Sequence, residues 1–346
     1  MFATVLPVSR NPKQLISNMR ILVTGSSGHL GEAITRTLRY KKIDYAGIDI
    51  KVSEYTSHVG SIADKAFIEK CIKGIDVIIH TATLHKPHVA THAYQDFIDT
   101  NITGTLNLLE AAKQHGVQAF IFTSTTSTFG DMLTPRENEP AIWVTEETRS
   151  IPKNIYGVTK TAAEDLCQLF YRNHQLPCLI LKTSRFFPEE DDDRSVRDLY
   201  DDNNIKANEF LYRRVDVEDV VSAHLLAIEK AAAIGFGKYI ISASSPFSKS
   251  DLFALRNDAP AVVEKLFPDY EEIYQLKNWK MLPGIDRVYV NEKARTELGW
   301  KPKYDFKYVL DRIKHGNDFR SELSKSIGIK GYHTTVFEQG PYPVSE

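Results

Sequence analysis

The sequence is short of cysteine. Its three thiols, Cys71, Cys167 and Cys178, are too few and too scattered for a disulfide framework or a zinc site, so a reducing, intracellular setting is expected. A long apolar run is also missing: no stretch approaches the roughly 18 residues of a membrane-crossing helix. The apolar start, Phe2 to Val8, contains Pro7 and is followed rather than preceded by basic residues, unlike a secretory signal. Nor is there an excess of one charge. Lys plus Arg number 43 against 45 for Asp plus Glu, a net charge of −2, which argues against nucleic acid or a membrane as the main partner and for a cytoplasmic protein. What remains is an ordinary globular composition, 42% hydrophobic and 25% charged, which excludes collagen-like, disordered and coiled-coil chains. The 346 residues suffice for about two domains, or one large α/β domain with a lobe attached.

From residue 20 onward short apolar segments alternate with amphipathic helical ones, the pattern of βαβ units, a parallel sheet and right-handed crossovers. Strands are expected at Arg20 to Thr24, Tyr45 to Asp49, Val77 to His80, Ala119 to Ser124 and Cys178 to Ser184. Helices are expected near His29 to Tyr40, Asp64 to Ile72, Ala93 to His115 and Tyr156 to Asn173; in the last, Val158, Ala162, Leu166 and Leu169 recur at helical spacing. After about residue 185 the rhythm changes. An acidic run, Glu189 to Asp193, and a polar stretch to Asn208 precede a helix near Asp219 to Ala233 and a strand at Lys238 to Ser242. The expected organisation is an α/β doubly wound parallel sheet over residues 19–185. A smaller C-terminal lobe, 186–346, with some segments returning to the sheet, covers the carboxyl edge where open α/β sheets bind ligands. Residues 1–18, without periodicity, read as a flexible N-terminal extension.

The first strand runs directly into Thr24-Gly25-Ser26-Ser27-Gly28-His29-Leu30-Gly31, a Gly-x-x-Gly-x-x-Gly loop that opens a helix. Each glycine has a separate task where a pyrophosphate binds: one permits the tight turn, one lets the backbone approach the ligand, and one lets helix and strand pack closely. The helix N-terminus adds unpaired N–H groups. Gly25, Ser27, Gly28, His29, Leu30 and Gly31 are therefore candidate cofactor residues of a Rossmann-type domain. Asp49 ends the second strand, where a carboxylate can accept hydrogen bonds from an adenosine ribose and repel a 2′-phosphate, so NAD is favoured over NADP.

Tyr156-Gly157-Val158-Thr159-Lys160 begins the long helix, and a spacing of four puts both side chains on one face. A tyrosine of pKa about 10 is a poor base at neutral pH. A neighbouring ammonium and a nicotinamide cation both favour phenolate, so the pair is expected to lower Tyr156. Thr123 to Gly130 places a dense hydroxyl cluster at the carboxyl end of the sheet, able to orient a substrate oxygen against Tyr156.

Taken together, Thr24 to Gly31, Asp49, His80-Thr81-Ala82-Thr83, Asn101 to Thr105, the hydroxyl cluster and Tyr156 to Lys160 resemble the extended short-chain dehydrogenase/reductase superfamily, in its NAD-dependent epimerase/dehydratase branch. Val215 to His224 and Leu298-Gly299-Trp300-Lys301-Pro302 extend the likeness over about residues 20–310. The resemblance implies Thr125 at the catalytic Ser/Thr position, Tyr156 as acid/base and Lys160 as ribose contact and pKa modifier. It also implies Ile62, Thr81, Ala82, Thr83 and Thr123 along the cofactor cleft, Asn101 in the following helix, and a homodimer packed through the helices near Ala93 to His115 and Tyr156 to Asn173.

Departures from the family narrow the chemistry. Where 4,6-dehydratases resemble an Asp-Glu pair after the catalytic Ser/Thr, this chain has Thr126-Ser127, and neither the Glu of decarboxylating relatives nor the Cys of 3,5-epimerases occurs between Thr123 and Gly130. Oxidation and reduction at one carbinol carbon remains. Epimerisation of a sugar nucleotide or related polyol through a keto intermediate leads; a dehydrogenase or reductase of a smaller hydroxyl or carbonyl compound is the alternative. A non-catalytic NAD(H)-sensing protein is a third reading, against which the intact Thr125, Tyr156 and Lys160 speak. Arg185 stands where the sugar-nucleotide enzymes place a substrate-contacting Asn, and His85, Thr125, Thr126, Arg185 and Arg214 are the candidate substrate contacts. The acidic run reads as a solvated loop rather than a metal site, and no metal is expected. Gly60-Ser61 lacks the acid that often contacts adenine; Trp143, Trp279 and Trp300 read as packing residues. Gly331-Tyr332-His333 and Pro341 to Pro343 carry no legible chemistry.

Overall fold

The computed structural model describes residues 16–335 together with Phe337 and Glu338. Strands β1 (Ile21–Thr24), β2 (Tyr45–Asp49), β3 (His58–Val59), β4 (Val77–His80) and β5 (Ala119–Thr125) belong to the central sheet. Strand β6 (Ile142–Val144) stands outside it, while β7 (Cys178–Thr183) and β8 (Phe236–Ile241) complete it. The order is β3-β2-β1-β4-β5-β7-β8, with every neighbour parallel. From β1 the chain fills one side with β2 and β3, then returns to lay β4 on the other. This reversal opens a crevice at the carboxyl ends of β1 and β4, the place where such sheets take ligands.

Both faces of the sheet are covered, and strand alternation decides what goes where. Ile21 and Val23 of β1 pack on one side with Ala33, Ile34 and Leu38 of α1 (His29–Tyr40), while Leu22 between them joins the opposite core. That opposite core takes Ile68 of α2 (Lys65–Cys71). The short α3 (Tyr94–Phe97) is followed by α4 (Gly104–His115), which contributes Leu108, Leu109 and Ala112, and by α5 (Ile155–His174), which contributes Ala163, Cys167 and Phe170. After α6 (Arg194–Leu199) and α7 (Asp202–Glu209), helix α8 (Val217–Ile234) returns to cover α1's side through Val220, Ala223, Ala227 and Ala231.

A separate apolar cluster organises the lobe. Leu255, Val263, Tyr274 and Phe306 lie at its centre, drawn from α9 (Leu252–Asn257), α10 (Ala259–Leu266), α11 (Tyr270–Gln275) and the later α13 (Phe306–Lys314). Strand β9 (Arg287–Tyr289) pairs in parallel with β6, and α12 (Glu292–Glu297) and α14 (Glu322–Ile327) complete the described elements. Trp143 and Trp279 pack against this cluster, while Trp300 is buried in the α8-side core with its indole N–H donating to Asp219 O at 3.1 Å.

The strands expected at Tyr45 to Asp49 and Val77 to His80 and the helix at His29 to Tyr40 form with those bounds. The helix expected from Ala93 to His115 does not run unbroken. A π-turn at Ile98–Thr103 separates α3 from α4. Its sequence, Ile-Asp-Thr-Asn-Ile-Thr, is rich in weak helix formers, and the Asn101 side chain binds outside the helix, accepting from Leu84 N at 2.9 Å and donating to Thr159 Oγ1 at 3.0 Å. Strands β3, β6 and β9 have two or three residues each, too few to leave a period-2 signal. Of the extension read at 1–18, residues 1–15 lie outside the described residues; Ile16 is buried in the α1-side core.

Candidate active site

Along the glycine loop the cofactor side of the crevice is built from backbone. Gly25 turns the chain at the end of β1 with φ +72°, and its N–H donates to Ile48 O at 2.8 Å. A Cβ on Gly31 would lie 1.9 Å from Gly25 O, and one on Gly25 2.8 Å from Ala82 N, so neither position admits a side chain. Helix α1 starts at Gly28 with no side-chain cap, which leaves its first N–H groups for a ligand. Asp49 is fixed beside them: its Oδ2 accepts from Ser27 N at 3.0 Å and its Oδ1 from Lys51 N at 2.9 Å. Thr24, part of the glycine-loop motif but not among the expected cofactor residues, locks the switch point. Its Oγ1 accepts from the N–H groups of Thr81 and Ala82, each at 3.1 Å, and lies 2.7 Å from His80 Nδ1. The resulting cleft, about 890 Å³, is lined by every residue expected there except Lys160, including Ile62, Thr83 and Thr123. Gly60 and Ser61 line it too, without an acid. A glycine cradle, free helix N–H groups and a carboxylate at a strand end make the donor and acceptor set a dinucleotide requires.

Tyr156 stands where this cleft meets a second cavity and lines both. It is presented by the first turn of α5, capped by Asn154 accepting from Gly157 N at 3.1 Å. Burial pushes its phenol up to about 12, and a hydrogen bond with the Thr125 side chain opposes the rise. Thr125 is held at the end of β5, where its Oγ1 accepts from Ser127 N at 3.1 Å. Lys160 shares the face of Tyr156 but its ammonium is turned to the sheet. Its Nζ donates to Thr123 O at 2.7 Å and lies 3.9 Å from the centre of the Phe122 ring. Burial pulls Lys160 down to about 7, with Glu164 opposing. The expectation that Lys160 lowers Tyr156 is thus corrected for the protein by itself: burial governs both groups, and the resting tyrosine is a neutral phenol. Behind the pair, unread in the sequence, Glu164 is fully buried between Lys182 at 2.7 Å and Lys238 at 3.0 Å, and it accepts from Ser124 Oγ at 2.5 Å.

The second cavity, about 260 Å³, is lined by His85, Thr125, Thr126 and Arg185, as expected, but not by Arg214. Arg214 is buried beneath it, donating to Glu209 Oε2 at 2.7 Å and to Phe187 O at 3.0 Å, and Arg213 faces the cavity in its place. His85 is enclosed by Tyr332, Phe187, His88 and Tyr156. Burial, with the neighbouring His88 and His29, holds it well below the ordinary histidine range, so it is neutral.

The acidic run is not a solvated loop. Glu189 and Asp191 are 6% and 5% exposed. Asp191 pairs with Arg185 at 2.8 Å, Asp192 pairs with Lys86, and Glu189 lies 2.8 Å from His29 Nε2. At the centre of this network is Glu209, 2.7 Å from both Arg213 and Arg214. Burial pushes the Glu209 carboxyl up, but the guanidinium groups of Arg213, Arg214 and Arg185 outweigh it and hold the carboxyl at about 2. Among the described residues no cluster has the makings of a metal site. Gly331-Tyr332-His333 also changes standing. Gly331 N donates to Glu189 at 3.3 Å, and Tyr332 sits edge-on to His85 with ring centres 4.5 Å apart, lining both cavities. Pro341 to Pro343 lie outside the described residues.

Comparison with known proteins agrees with this geometry. The sequence model of the NAD dependent epimerase/dehydratase family matches residues 21–241. A uronate dehydrogenase of Pseudomonas syringae pv. tomato is 27% identical over 51% of this chain; the match spans 63% of that enzyme, under two thirds of its length. A putative UDP-glucose 4-epimerase of Methanocaldococcus jannaschii is 25% identical over 85% of this chain and 96% of its own. Among solved structures, a short-chain dehydrogenase/reductase superfamily protein from Agrobacterium tumefaciens with bound NAD superposes with a TM-score of 0.61 at 22% identity, covering 86% of this chain and 96% of that one. The chain belongs to the NAD-dependent epimerase/dehydratase family.

Proposed function

We propose that this enzyme interconverts a secondary alcohol and a ketone on a sugar-type polyol, with Tyr156 as proton donor and acceptor. One observation carries the reading: Tyr156, hydrogen-bonded to Thr125, lines both the dinucleotide cleft and the smaller cavity. The N–H groups of His29 and Leu30 would hold the pyrophosphate of NAD and Asp49 a ribose diol, while Lys160, whose Nζ donates to Thr123 O, would have to turn from it to reach the second ribose. When bound, NAD supplies the hydride acceptor and, once reduced, the hydride donor. The proton is the protein's task. Thr125 Oγ1 holds the substrate oxygen, and the neutral Tyr156 phenol gives its proton to a ketone oxygen or, ionised, takes one from a hydroxyl. His85, neutral and packed near the phenol, excludes water without competing for the proton.

Epimerisation through a retained ketone is the leading outcome, and the C-terminal segment favours it. Lys330 and Gly331 donate to Glu189 and Tyr332 packs on His85, so this segment walls both cavities and would slow exchange of cofactor and ketone. The cavity volume favours a second outcome, net dehydrogenation of a compact compound, because about 260 Å³ falls just under the roughly 300–1,000 Å³ of sites for drug-sized ligands. Denaturing the purified protein and identifying released nucleotide, then following exchange of labelled NAD into the native enzyme, separates them. Retained, slowly exchanging NAD supports epimerisation, an empty and freely exchanging site supports a dehydrogenase, and absence of NAD binding overturns the proposal. A homodimer through α4 and α5 accompanies the reading, supported by the exposed Val158 and Leu169 on α5; a sedimentation mass of one chain, 39.3 kDa, would refute it. Among the described residues no helix is long and apolar enough to cross a membrane.

A further inference from the structure

The first turn of α1, where a pyrophosphate would bind, is flanked by acid. Glu32 lies in that turn and is 5% exposed. Glu189, 6% exposed, has its Oε1 2.8 Å from Nε2 of His29, the first residue of the helix. Burial pushes the Glu189 carboxyl up, but the His29 hydrogen bond and the Lys330 N–H group are among the contacts that outweigh it and hold it below the ordinary carboxylate range. A carboxylate in the first turn is itself drawn to the positive end of the helix, so Glu32 competes with a phosphate for the same N–H groups. A dinucleotide brings two more negative charges to this place.

The chain answers from its far end. Beyond α14, residues 327–335 other than Gly328 line the dinucleotide cleft as a strap. Gly328 and Gly331, each at φ +65°, turn it on either side of Ile329 and Lys330. The strap is fastened to the start of α1 in three ways: Lys330 Nζ pairs with Glu32 Oε2, the N–H groups of Lys330 and Gly331 donate to Glu189 Oε1, each at 3.3 Å, and the Tyr332 ring centre lies 5.8 Å from that of His29. The other oxygen of Glu32 accepts from Arg36 Nε at 2.8 Å. Two carboxylates therefore meet two Lys or Arg cations while the strap is docked, and one without it. Apart from histidines, the charged side chains lining the cleft are Asp49, Lys51 and Lys330. Lys51 follows the end of β2 and its N–H donates to Asp49, so Lys330 is the cleft's cation at the helix start.

We propose that the strap is an integral part of the dinucleotide site and that Lys330 is its positioning residue, acting through Glu32: it cancels that charge so that the start of α1 can receive a pyrophosphate. The inference rests on the reading of the cleft as an NAD site and adds a determinant about 300 positions from the glycine loop. Full-length protein freed of nucleotide is titrated calorimetrically with NAD or, where NAD is retained, its exchange rate is followed. Lys330→Gln is expected to weaken NAD binding, or speed its exchange, about tenfold, and Lys330→Arg to stay near wild type. The double variant Glu32→Gln with Lys330→Gln should recover most of the loss. Loosening of the strap would not be repaired by removing a second charged group, so recovery separates charge cancellation from a purely structural role. Unchanged NAD binding in Lys330→Gln, or a double variant as weak as Lys330→Gln alone, overturns the inference and leaves the oxidoreductase reading standing. A wild-type protein that binds no NAD overturns both.

Discussion

The cleft along the glycine loop and the cavity beyond Tyr156 differ in what forms their walls. The first has, along its glycine loop, main-chain atoms brought close by the absence of a Cβ, with Asp49 as its one carboxylate near the loop, and most of its parts come from short contiguous motifs. The second is lined by side chains, seven of them charged, from segments as far apart as Lys86 and Arg287. A ligand recognised by N–H groups needs close approach, which a missing Cβ provides. The guanidinium groups of the second region are instead placed by the ion-pair network around Glu209, which lies 2.7 Å from both Arg213 and Arg214 and forms only when the chain is folded.

The junction of the two regions is the most sensitive point. Tyr156→Phe removes the phenol proposed to transfer the proton and should lower turnover about 10²- to 10⁴-fold while leaving NAD affinity unchanged; near-normal turnover would remove Tyr156 from that role and revive the NAD(H)-sensing alternative. Glu209→Gln tests the charged region, leaving Arg185, Arg213 and Arg214 without their common partner. A loss of about 3–5 kcal/mol in denaturant unfolding is expected. The pH dependence has a definite sign. Because Glu209 sits at about 2 in the fold, below its ordinary 4.5, its stabilisation is present above pH 4.5 and disappears as pH falls toward 2. The wild type should therefore lose stability in that window faster than Glu209→Gln does.

The backbone-built region should fail by sterics rather than charge. Gly31→Ala drives a methyl into Gly25 O, and a destabilisation of about 1–3 kcal/mol with collapse of NAD binding is expected; unchanged NAD affinity would show that the loop can open at little cost. The smallest effect belongs to Asp49→Asn. Removing its charge should relax the preference for NAD over NADP by about tenfold, measured as the ratio of the two dissociation constants.

The glycine loop, Asp49 and the Tyr156–Lys160 spacing were legible because each is a local device, complete within one turn or one strand end. So were the central strands, whose apolar runs report burial on both faces. The break in the helix at Ile98–Thr103 was not, because it depends on what Asn101 binds beyond its own helix, at Leu84 and Thr159. The acidic run was misread for the same reason: five consecutive carboxylates look like a solvated loop until Lys86, Arg185 and Arg213 are folded against them. Tyr332 gave no signal at all, since its segment is tied to Glu189, 141 positions earlier for the bond from Lys330.

By itself, then, the sequence determined the central sheet and marked the glycine loop, Asp49 and the Tyr156–Lys160 pair on which the proposed function rests, all of which follow from residue type and spacing within about thirty positions. Tertiary structure alone decided which charges line the smaller cavity and how they are paired. Arg214, Arg185 and Arg287 are the same residue type, and the chain carries no mark of which will be buried against Glu209, which will pair with Asp191 while lining the cavity, and which will line it with no ion pair among the described residues. Electrostatic compensation depends on distances of a few ångströms between segments far apart in the chain, and that information exists only once they are packed.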